Sequence, residues 1–435
     1  MTARHTIFRD VLVVPGGGET PFYGWVETRD GTISARGLDK APHVAGAETI
    51  DGEGAALVPG FVNTHAHSHS SLTRGSAEGV ALEDWLVVIE REQSRLSREQ
   101  ATAGALATYA EALLSGTTTM MDMCLHPDAA FAAARDIGIR AVIAPYVADG
   151  KSFTPTLADT AALIEEAARF DDRVRVWVGL HDLESCSDAQ IVEGVTLAKA
   201  RNVGVHLHCA ESTRSVQRTQ TRTGRTPVAQ LADLGALSER TLLAHCVWVD
   251  DHDRALLAAS GTHVAHCPHA NLKLGSGIAP VADLCARGIN VTLATDGAKA
   301  NNRLDPFDVM KFASLLPKGA ARDPAALPAR QVLDMATRGG AMALGVRAGT
   351  IAPGLAADLV LLRADAFHLQ PMLPETVETN LVHAARGADV AMVMVAGRIL
   401  VRGGRLGEID QDDIMRKARA VGLDLIKQDQ TRSAV

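Results

Sequence analysis

The stretch TLLAHCVWVDDHDRALLAASGTHVAHCPHA, residues 241–270, contains two apolar runs separated by a segment of helical character. The runs at 241–249 and 261–270 are typical of strands that are buried on both faces. Between them, the acidic residues at 250–253 favour the start of a helix, because the helix dipole stabilises negative charge near the amino terminus. This order of strand, helix and strand predicts two neighbouring strands of a parallel sheet.

The same alternation continues on both sides of this stretch. Eight apolar runs alternate with Ala-rich helical segments, and they lie at 56–65, 117–124, 140–147, 175–182, 203–211, 241–249, 261–270 and 290–298. Eight such repeats match an α/β fold of the (β/α)8, TIM-barrel type, which we expect over residues 58–349. The alternative is an open doubly wound sheet, which is disfavoured because no glycine-rich nucleotide-binding turn follows any run.

The two ends of the chain lack this alternation of strands and helices and have the sequence pattern of short strands and turns. Residues 1–57 and 350–408 are predicted to form one small composite β domain beside the barrel, since chain ends often lie close together. Residues 409–435 are predicted to form a C-terminal helix and tail that packs on the outside or against a second subunit.

Composition excludes several classes of function. The net charge is −8 and the chain has no basic block, which argues against nucleic acid or an anionic membrane as a partner. We expect neither a signal peptide nor a transmembrane segment, and the six cysteines show no C-x-x-C spacing. These features together predict a soluble, cytoplasmic protein whose cysteines are reduced. A homodimer or higher homo-oligomer is expected, since symmetric dimers are the commonest assemblies.

Histidine and acidic side chains collect where the predicted strands end. In chain order they are His65, His67, His181, His208, Glu211, His245, His266, His269 and Asp296. In a parallel barrel these ends form one rim, and that rim carries the functional residues. A single buried histidine is more often held by backbone groups, but the sequence has only 16 histidines, too few for chance to place so many at these ends.

Over nearly its whole length the chain resembles the amidohydrolase superfamily. The resemblance is carried by PGFVNTHAH, HLHCAES, LLAHCVWVDD, HCPHANLKLGSGIAPV and TLATDGAKANNRLDPFDVM. Within the superfamily these strings are similar to the branch of cytosine deaminases, guanine deaminases, S-adenosylhomocysteine/methylthioadenosine deaminases and triazine hydrolases. Binuclear members of the superfamily carry a carboxylated lysine at the end of strand four. The run at 175–182 has no lysine, which favours a single metal ion.

The resemblance implies one divalent metal ion, with zinc favoured and iron as the alternative. Its implied ligands are His65, His67, His208 and Asp296. Such an ion lowers the pKa of bound water to roughly 7 and so provides hydroxide at neutral pH. Asp296 is then implied to accept the proton of this water, His245 to hold the attacking hydroxide, and Glu211 to reach the leaving group. His181 matches a family position that contacts the substrate.

The expected reaction is the hydrolytic deamination of an aminated heterocycle: a purine or adenosine-type compound, a pterin, a pyrimidine or a triazine. Glu211 favours this reaction because an amine leaves readily only when it is protonated. One alternative is a hydrolase that removes chloride or an alkylamine from a triazine-type ring. A second alternative is a non-catalytic assembly protein with the same fold.

The sequence departs from the family pattern in a segment that is expected to bind the substrate. Adenosine-type relatives usually read something like HAPYTCS after strand four, whereas this chain reads HDLESCS. Glu184 in this segment is a candidate contact for a donor-rich or cationic group, with a solvated loop acid as the alternative. Arg74 and Trp85, in the segment expected to cover the barrel mouth, and His269 are further candidate substrate contacts; for His269 a polar loop role is equally compatible with the sequence.

Overall fold

The computed structural model describes residues 5–151 and 153–433. Its strands are β1 (His5–Val13), β2 (Phe22–Arg29), β3 (Thr32–Gly37), β4 (Glu48–Asp51), β5 (Ala56–Pro59), β6 (Phe61–Ala66), β7 (Thr117–Cys124), β8 (Arg140–Pro145), β9 (Val174–Val176), β10 (Val178–Gly179), β11 (Val205–Cys209), β12 (Thr241–His245), β13 (His263–His266), β14 (Val291–Leu293), β15 (Leu359–Leu362), β16 (Val390–Val395), β17 (Arg398–Arg402) and β18 (Arg405–Leu406).

Helices connect most of these strands. They are α1 (Leu82–Gln93), α2 (Arg98–Leu114), α3 (Pro127–Ile137), α4 (Leu157–Ala167), α5 (Asp188–Arg201), α6 (Thr213–Thr223), α7 (Pro227–Asp233), α8 (Asp251–Ser260), α9 (Pro268–Lys273), α10 (Val281–Ala286), α11 (Ala298–Asn301), α12 (Pro306–Ala321), α13 (Ala329–Ala336), α14 (Arg338–Ala343), α15 (Val377–His383) and α16 (Gln411–Ser433), with short 3-10 helices at Ser68–Thr73, Phe367–Leu369 and Gly387–Asp389. No helix within the described ranges combines the length and the apolar character needed to cross a bilayer.

The middle of the chain forms two parallel sheets, with the strand orders β6-β7-β8-β9 and β10-β11-β12-β13-β14. Strands β9 and β10 are separated only by Trp177, whose N–H donates to the carbonyl of Ile143 at 2.9 Å. At the other edges, the N–H of Asp296, just after β14, donates to the carbonyl of His65 in β6 at 3.0 Å. The two sheets are thus linked at both junctions, and their carboxyl ends lie side by side.

The stretch at 241–270 forms β12, α8 and β13, as its pattern predicts. Asp250 caps α8, because its carboxylate accepts a hydrogen bond from the N–H of Asp253 at 2.9 Å. Strand β12 is shorter than the apolar run, since His245 and Cys246 have φ values of 74° and 46°. This left-handed turn ends the strand at His245, one of the residues predicted to lie in the site.

The run at 56–65 is not a single strand, which corrects the prediction. Residues Ala56–Pro59 form β5 and pair with β1 and β15, whereas Phe61–Ala66 form β6 and pair with β7. The break falls at Gly60, where a Cβ atom would lie 2.1 Å from Oγ1 of Thr118. Only a glycine allows the chain to pass so close to its neighbour and cross from one sheet to the other.

Strands from both chain ends form one nine-stranded sheet. Its order is β18-β17-β16-β15-β5-β1-β2-β3, with β4 paired to β1. The strand-and-turn texture predicted for both ends is therefore present, and the two ends meet in one sheet. The helix predicted near the C terminus is α16, and Leu425 on this helix packs with Leu72 and Leu96 of the same chain.

Candidate active site

Four histidine rings meet where the parallel strands end. His65 lies in β6, His67 follows it, His208 lies in β11, and His245 is the last residue of β12. The ring centroid of His65 is 4.7 Å from that of His67, 4.8 Å from that of His208 and 5.5 Å from that of His245. Asp296 joins them, with its Oδ1 3.7 Å from Nε2 of His65 and 3.5 Å from Nε2 of His67.

Backbone carbonyls fix the protonation of two of these rings. Nδ1 of His67 lies 2.7 Å from the carbonyl of Met123, and Nδ1 of His208 lies 2.7 Å from the carbonyl of His181. A carbonyl oxygen can only accept, so each Nδ1 carries the proton and donates it. In the neutral rings, both Nε2 atoms are then lone-pair acceptors, and they face each other across 3.3 Å.

A hydrogen bond to His206 fixes the position of the proton on the His65 ring in the same way. Nδ1 of His206 donates to the carbonyl of Leu242 at 2.9 Å, so Nε2 of His206 is an acceptor. Nδ1 of His65 lies 2.8 Å from that acceptor and must donate to it. The Nε2 of His65, which is buried and makes no hydrogen bond within the described structure, therefore presents its lone pair to the centre of the group. Nδ1 of His245 is held by Oδ1 of Asn271 at 2.9 Å.

Electrostatics favours the neutral form of two of these rings, His65 and His208. Burial lowers the pKa of His65 and of His208 well below the ordinary value for histidine, and neighbouring imidazoles lower it further. Lone pairs that converge without a donor repel one another unless a cation lies between them. Two overlapping groups have ligand atoms within 4.8 Å of one another: His65, His208 and His245, and His65, His67 and Asp296. Neutral imidazoles with one carboxylate fit a borderline divalent cation such as zinc or iron.

Sharp turns in the backbone position several of these side chains. Asp296 has a φ of 60°, Ala210 a φ of 50°, and His245 the value of 74° given above. Residues other than glycine seldom adopt this left-handed region, and functional sites are where such strain concentrates.

Glu211 lies two residues after β11, beside the histidine group. Its Oε2 is 3.5 Å from Nε2 of His245. Burial raises the pKa of this carboxyl to about 7. Near neutral pH, Glu211 can therefore both hold and release a proton, as a general acid or base requires.

His181 is positioned from two sides. Its ring stacks on Tyr146 with centroids 4.1 Å apart, and its Nδ1 lies 2.9 Å from Oγ of Ser185 and 3.1 Å from Oδ2 of Asp182. The ring lines the cavity that opens beside the histidine group.

The cavity has an inner and an outer part. The inner part, of about 50 Å³, is lined by His67, Glu211, His245 and Asp296 and is covered by Trp85 of α1. The outer part is much larger, about 960 Å³. Leu86, Glu90, His181 and Asp182 are among the residues that line both parts, so the two are continuous.

Apart from His181, the sequence predicts four substrate contacts, and two of these four line the cavity. Trp85 lines the inner cavity, and Glu184 lines the outer one. Arg74 does not line either part; it forms an ion pair with Glu111 and donates to the carbonyl of Asn302 at 2.9 Å. His269 also lies outside the cavity lining, and its ring packs on Phe312 with centroids 4.2 Å apart.

Sequence reasoning assigned no role to His206, Asn271 or Tyr146. A signal existed for His206, because it lies two residues before His208 and so projects on the same side of the strand. For Asn271 and Tyr146 the order of residues gave no signal, since both contacts depend on how separate strands and loops meet.

Comparisons with known proteins identify the family of this chain. Residues 56–400 match the model of the amidohydrolase family. The chain is 41% identical over 381 residues to a 5'-deoxyadenosine deaminase of Methanothermobacter thermautotrophicus, covering 86% of this chain and 89% of that protein. It is 36% identical over 415 residues to a 5-methylthioadenosine/S-adenosylhomocysteine deaminase of Moorella thermoacetica, covering 94% and 96%. A crystal structure of an adenosine deaminase from Xanthomonas campestris with bound zinc superposes with a TM-score of 0.91 at 29% identity, covering 97% of this chain and 98% of that one.

Proposed function

This chain belongs to the amidohydrolase family, and on that premise we propose that it is a metal-dependent deaminase of adenosine-type nucleosides that releases ammonia. Relatives at 41% and 36% identity, named as deaminases of 5'-deoxyadenosine and of methylthioadenosine or S-adenosylhomocysteine, support hydrolysis of a C–N bond. Among the heterocycles that the sequence left open, these names favour the adenine ring of a nucleoside.

One observation carries the proposal. The Nε2 lone pairs of the clustered histidines converge with the Asp296 carboxylate, and the protonatable Glu211 lies beside them. We propose that His65, His67, His208 and Asp296 hold one divalent cation, with His245 at the edge of the group. Such a cation, when bound, would lower the pKa of a water molecule and so supply hydroxide near neutral pH. Zinc is the proposed ion, and the zinc in the Xanthomonas campestris structure supports this choice.

The side chains around this group have separate roles in the proposal. Glu211 holds a proton near neutral pH and delivers it to the departing amine, which leaves as ammonia. Asp296 accepts the proton lost by the attacking water, and His245 orients that water from its bond to Asn271. His181, fixed against Tyr146, contacts the substrate ring, and Trp85 excludes solvent from the inner cavity.

We further propose that the two parallel sheets form one (β/α)8 barrel over residues 58–349. The hydrogen bonds at Trp177 and Asp296 support closure at both junctions. Of the residues that the structure describes, those within 1–57 and 350–408 would then form the composite β domain, together with Val58 and Pro59 of β5, and those within 409–435 would form the C-terminal helix and tail. The ends of these ranges, residues 1–4 and 434–435, lie outside the described residues. A homodimer in the cytoplasm is part of the same proposal, and the six free cysteines are compatible with a reducing compartment.

The test is a panel of ammonia-release assays with the zinc-loaded protein. Adenosine, 5'-deoxyadenosine, guanine, cytosine, a pterin and an aminotriazine are offered at equal concentration, and atrazine is assayed in parallel for chloride release. We expect ammonia from the adenosine compounds at the highest kcat/KM. Chloride release from atrazine, with no ammonia from either nucleoside, would contradict the proposal and support the triazine alternative.

A further inference from the structure

The wall of the outer cavity carries cations whose charge is already matched. Lys151 pairs with Glu90, Arg218 pairs with Glu184, and Arg222 lies 2.8 Å from a carboxylate oxygen of Asp188. All six side chains line the outer cavity, and no other lysine or arginine does so among the residues that the structure describes.

The same wall has a surplus of acids. Glu83, Asp149 and Asp182 also line it, so that six carboxylates face three cations even without Glu211. Two of these acids are held by uncharged donors: the N–H of Ser187 donates to Asp149 at 2.7 Å, and the hydroxyl of Ser212 donates to Glu83 at 3.1 Å. Glu83 also lies 3.9 Å from Nη1 of Arg214, which is outside the lining. Six carboxylates against these four cations leave the wall with a net negative charge, and a cleft between low-dielectric walls concentrates the field of such a charge.

The wall lies in the outer cavity, and this position determines which part of a nucleoside would contact it. The carbon that loses its amine must reach Glu211 and Asp296 in the inner cavity. That part holds only about 50 Å³, so the remainder of a nucleoside extends past Glu90 and Asp182, which line both parts, into the outer cavity. The sugar and its 5' substituent would therefore occupy the outer cavity, whose wall includes Glu184 and its ion pair with Arg218.

We propose, on the basis of the proposed function, that this wall selects nucleosides by the charge of their 5' substituent. It accepts an uncharged or cationic substituent and rejects an anionic one, and Glu184 is a specificity-determining residue because it neutralises Arg218. An anionic substituent would have to displace a carboxylate from one of the three cations while facing Asp149 and Asp182, which have no lysine or arginine of the cavity lining as a partner. Rejection of this kind comes from repulsion built against the wrong ligand.

The test measures kcat/KM for three substrates that differ in 5' charge: 5'-amino-5'-deoxyadenosine, 5'-deoxyadenosine and adenosine 5'-monophosphate. For the wild-type protein we expect the first two to exceed the third by on the order of 100-fold, as like-charge contacts at a binding surface allow. In Glu184→Gln, the freed Arg218 should raise the relative kcat/KM for the monophosphate about three- to tenfold, a modest gain because both side chains are partly exposed. Glu375→Gln makes the same change of charge on an exposed residue outside the cavity lining and should leave the ratio unchanged.

Each outcome is decisive. This inference would be overturned, while the deaminase proposal stood, if the wild-type protein had the same kcat/KM for adenosine 5'-monophosphate as for the other two substrates. It would also be overturned if Glu184→Gln left the ratio of kcat/KM for the monophosphate to that for 5'-deoxyadenosine unchanged. Failure of the wild-type protein to deaminate any of the three would overturn the proposed function and this inference with it.

Discussion

Replacement of His206 by Phe tests whether the hydrogen-bond chain behind His65 prepares the site for a cation. The substitution keeps a buried ring of similar size and removes the acceptor that lies 2.8 Å from Nδ1 of His65. The Nδ1–H of His65 would be left buried without a partner, at a cost of about 1–3 kcal/mol. The His65 ring would also be free to move its proton to Nε2, the atom that faces Asp296.

The magnitude follows from the role of such supporting contacts. Loss of one typically weakens metal binding by about 10–100-fold, which corresponds to roughly 1.4–2.7 kcal/mol. The assay is a competition titration of zinc against a chelator of known affinity, with ammonia release measured on the same samples. His206→Gln, which offers an acceptor oxygen, should recover part of the affinity.

The matched control is His263→Phe. His263 is also buried, but it lies at the opposite end of its strand, β13, and its ring bonds to Glu239 and Asn290. This control should bind zinc like the wild-type protein. Unchanged zinc affinity in His206→Phe, or an equal loss in both variants, would refute the reasoning about His65.

Three further predictions concern catalysis and stability. Glu211→Gln should lower kcat by about 10²–10⁴-fold with zinc content unchanged, and Glu375→Gln should lower neither; an active Glu211→Gln would remove that residue from the mechanism. In the wild-type protein, kcat measured from pH 5 to 9 should fall on the alkaline side, because burial raises the pKa of Glu211 to about 7 and only the protonated carboxyl donates; a rate that rises steadily to pH 9 would contradict this. Lys299→Met should lower the free energy of unfolding by about 3–5 kcal/mol in urea titrations, because Lys299 is fully buried against Glu92 and its loss leaves that carboxylate without its cation. The control is Arg98→Met, which removes an exposed ion pair with Asp128 and should cost less than about 1 kcal/mol. Equal costs for the two variants would count against the burial argument.

The sequence contained most of the information about the fold because its pattern was repetitive. Apolar runs of the right length predicted the parallel strands, and the run at 117–124 coincides with β7 residue for residue. The run at 56–65 misled because no polar residue interrupts it between Ala56 and Val62, although its two halves belong to different sheets. Periodicity reports burial and does not report which neighbour a strand pairs with, so the crossing at Gly60 depends on a three-dimensional contact with Thr118.

In the candidate site, too, the sequence predicted which residues share the rim but did not predict the contacts that their side chains make. The predicted ligands are brought together because residues at the ends of parallel strands share one rim. Arg74 was chosen for its place after the first parallel strand, but its charge is matched by Glu111, more than thirty residues later in α2. Ion pairs such as this one, and the support of His245 by Asn271, depend on side-chain reach across elements, which the order of residues does not encode.

Stepwise removal of the bound ion tests the central claim most directly. The protein is dialysed against a chelator, and metal content and ammonia release from 5'-deoxyadenosine are measured on each sample before and after zinc is returned. We predict one divalent ion per chain at full activity, loss of activity in proportion to the ion removed, and recovery when zinc is added. Full turnover by protein that holds no divalent ion would contradict the assignment of the histidine and aspartate group as a metal centre.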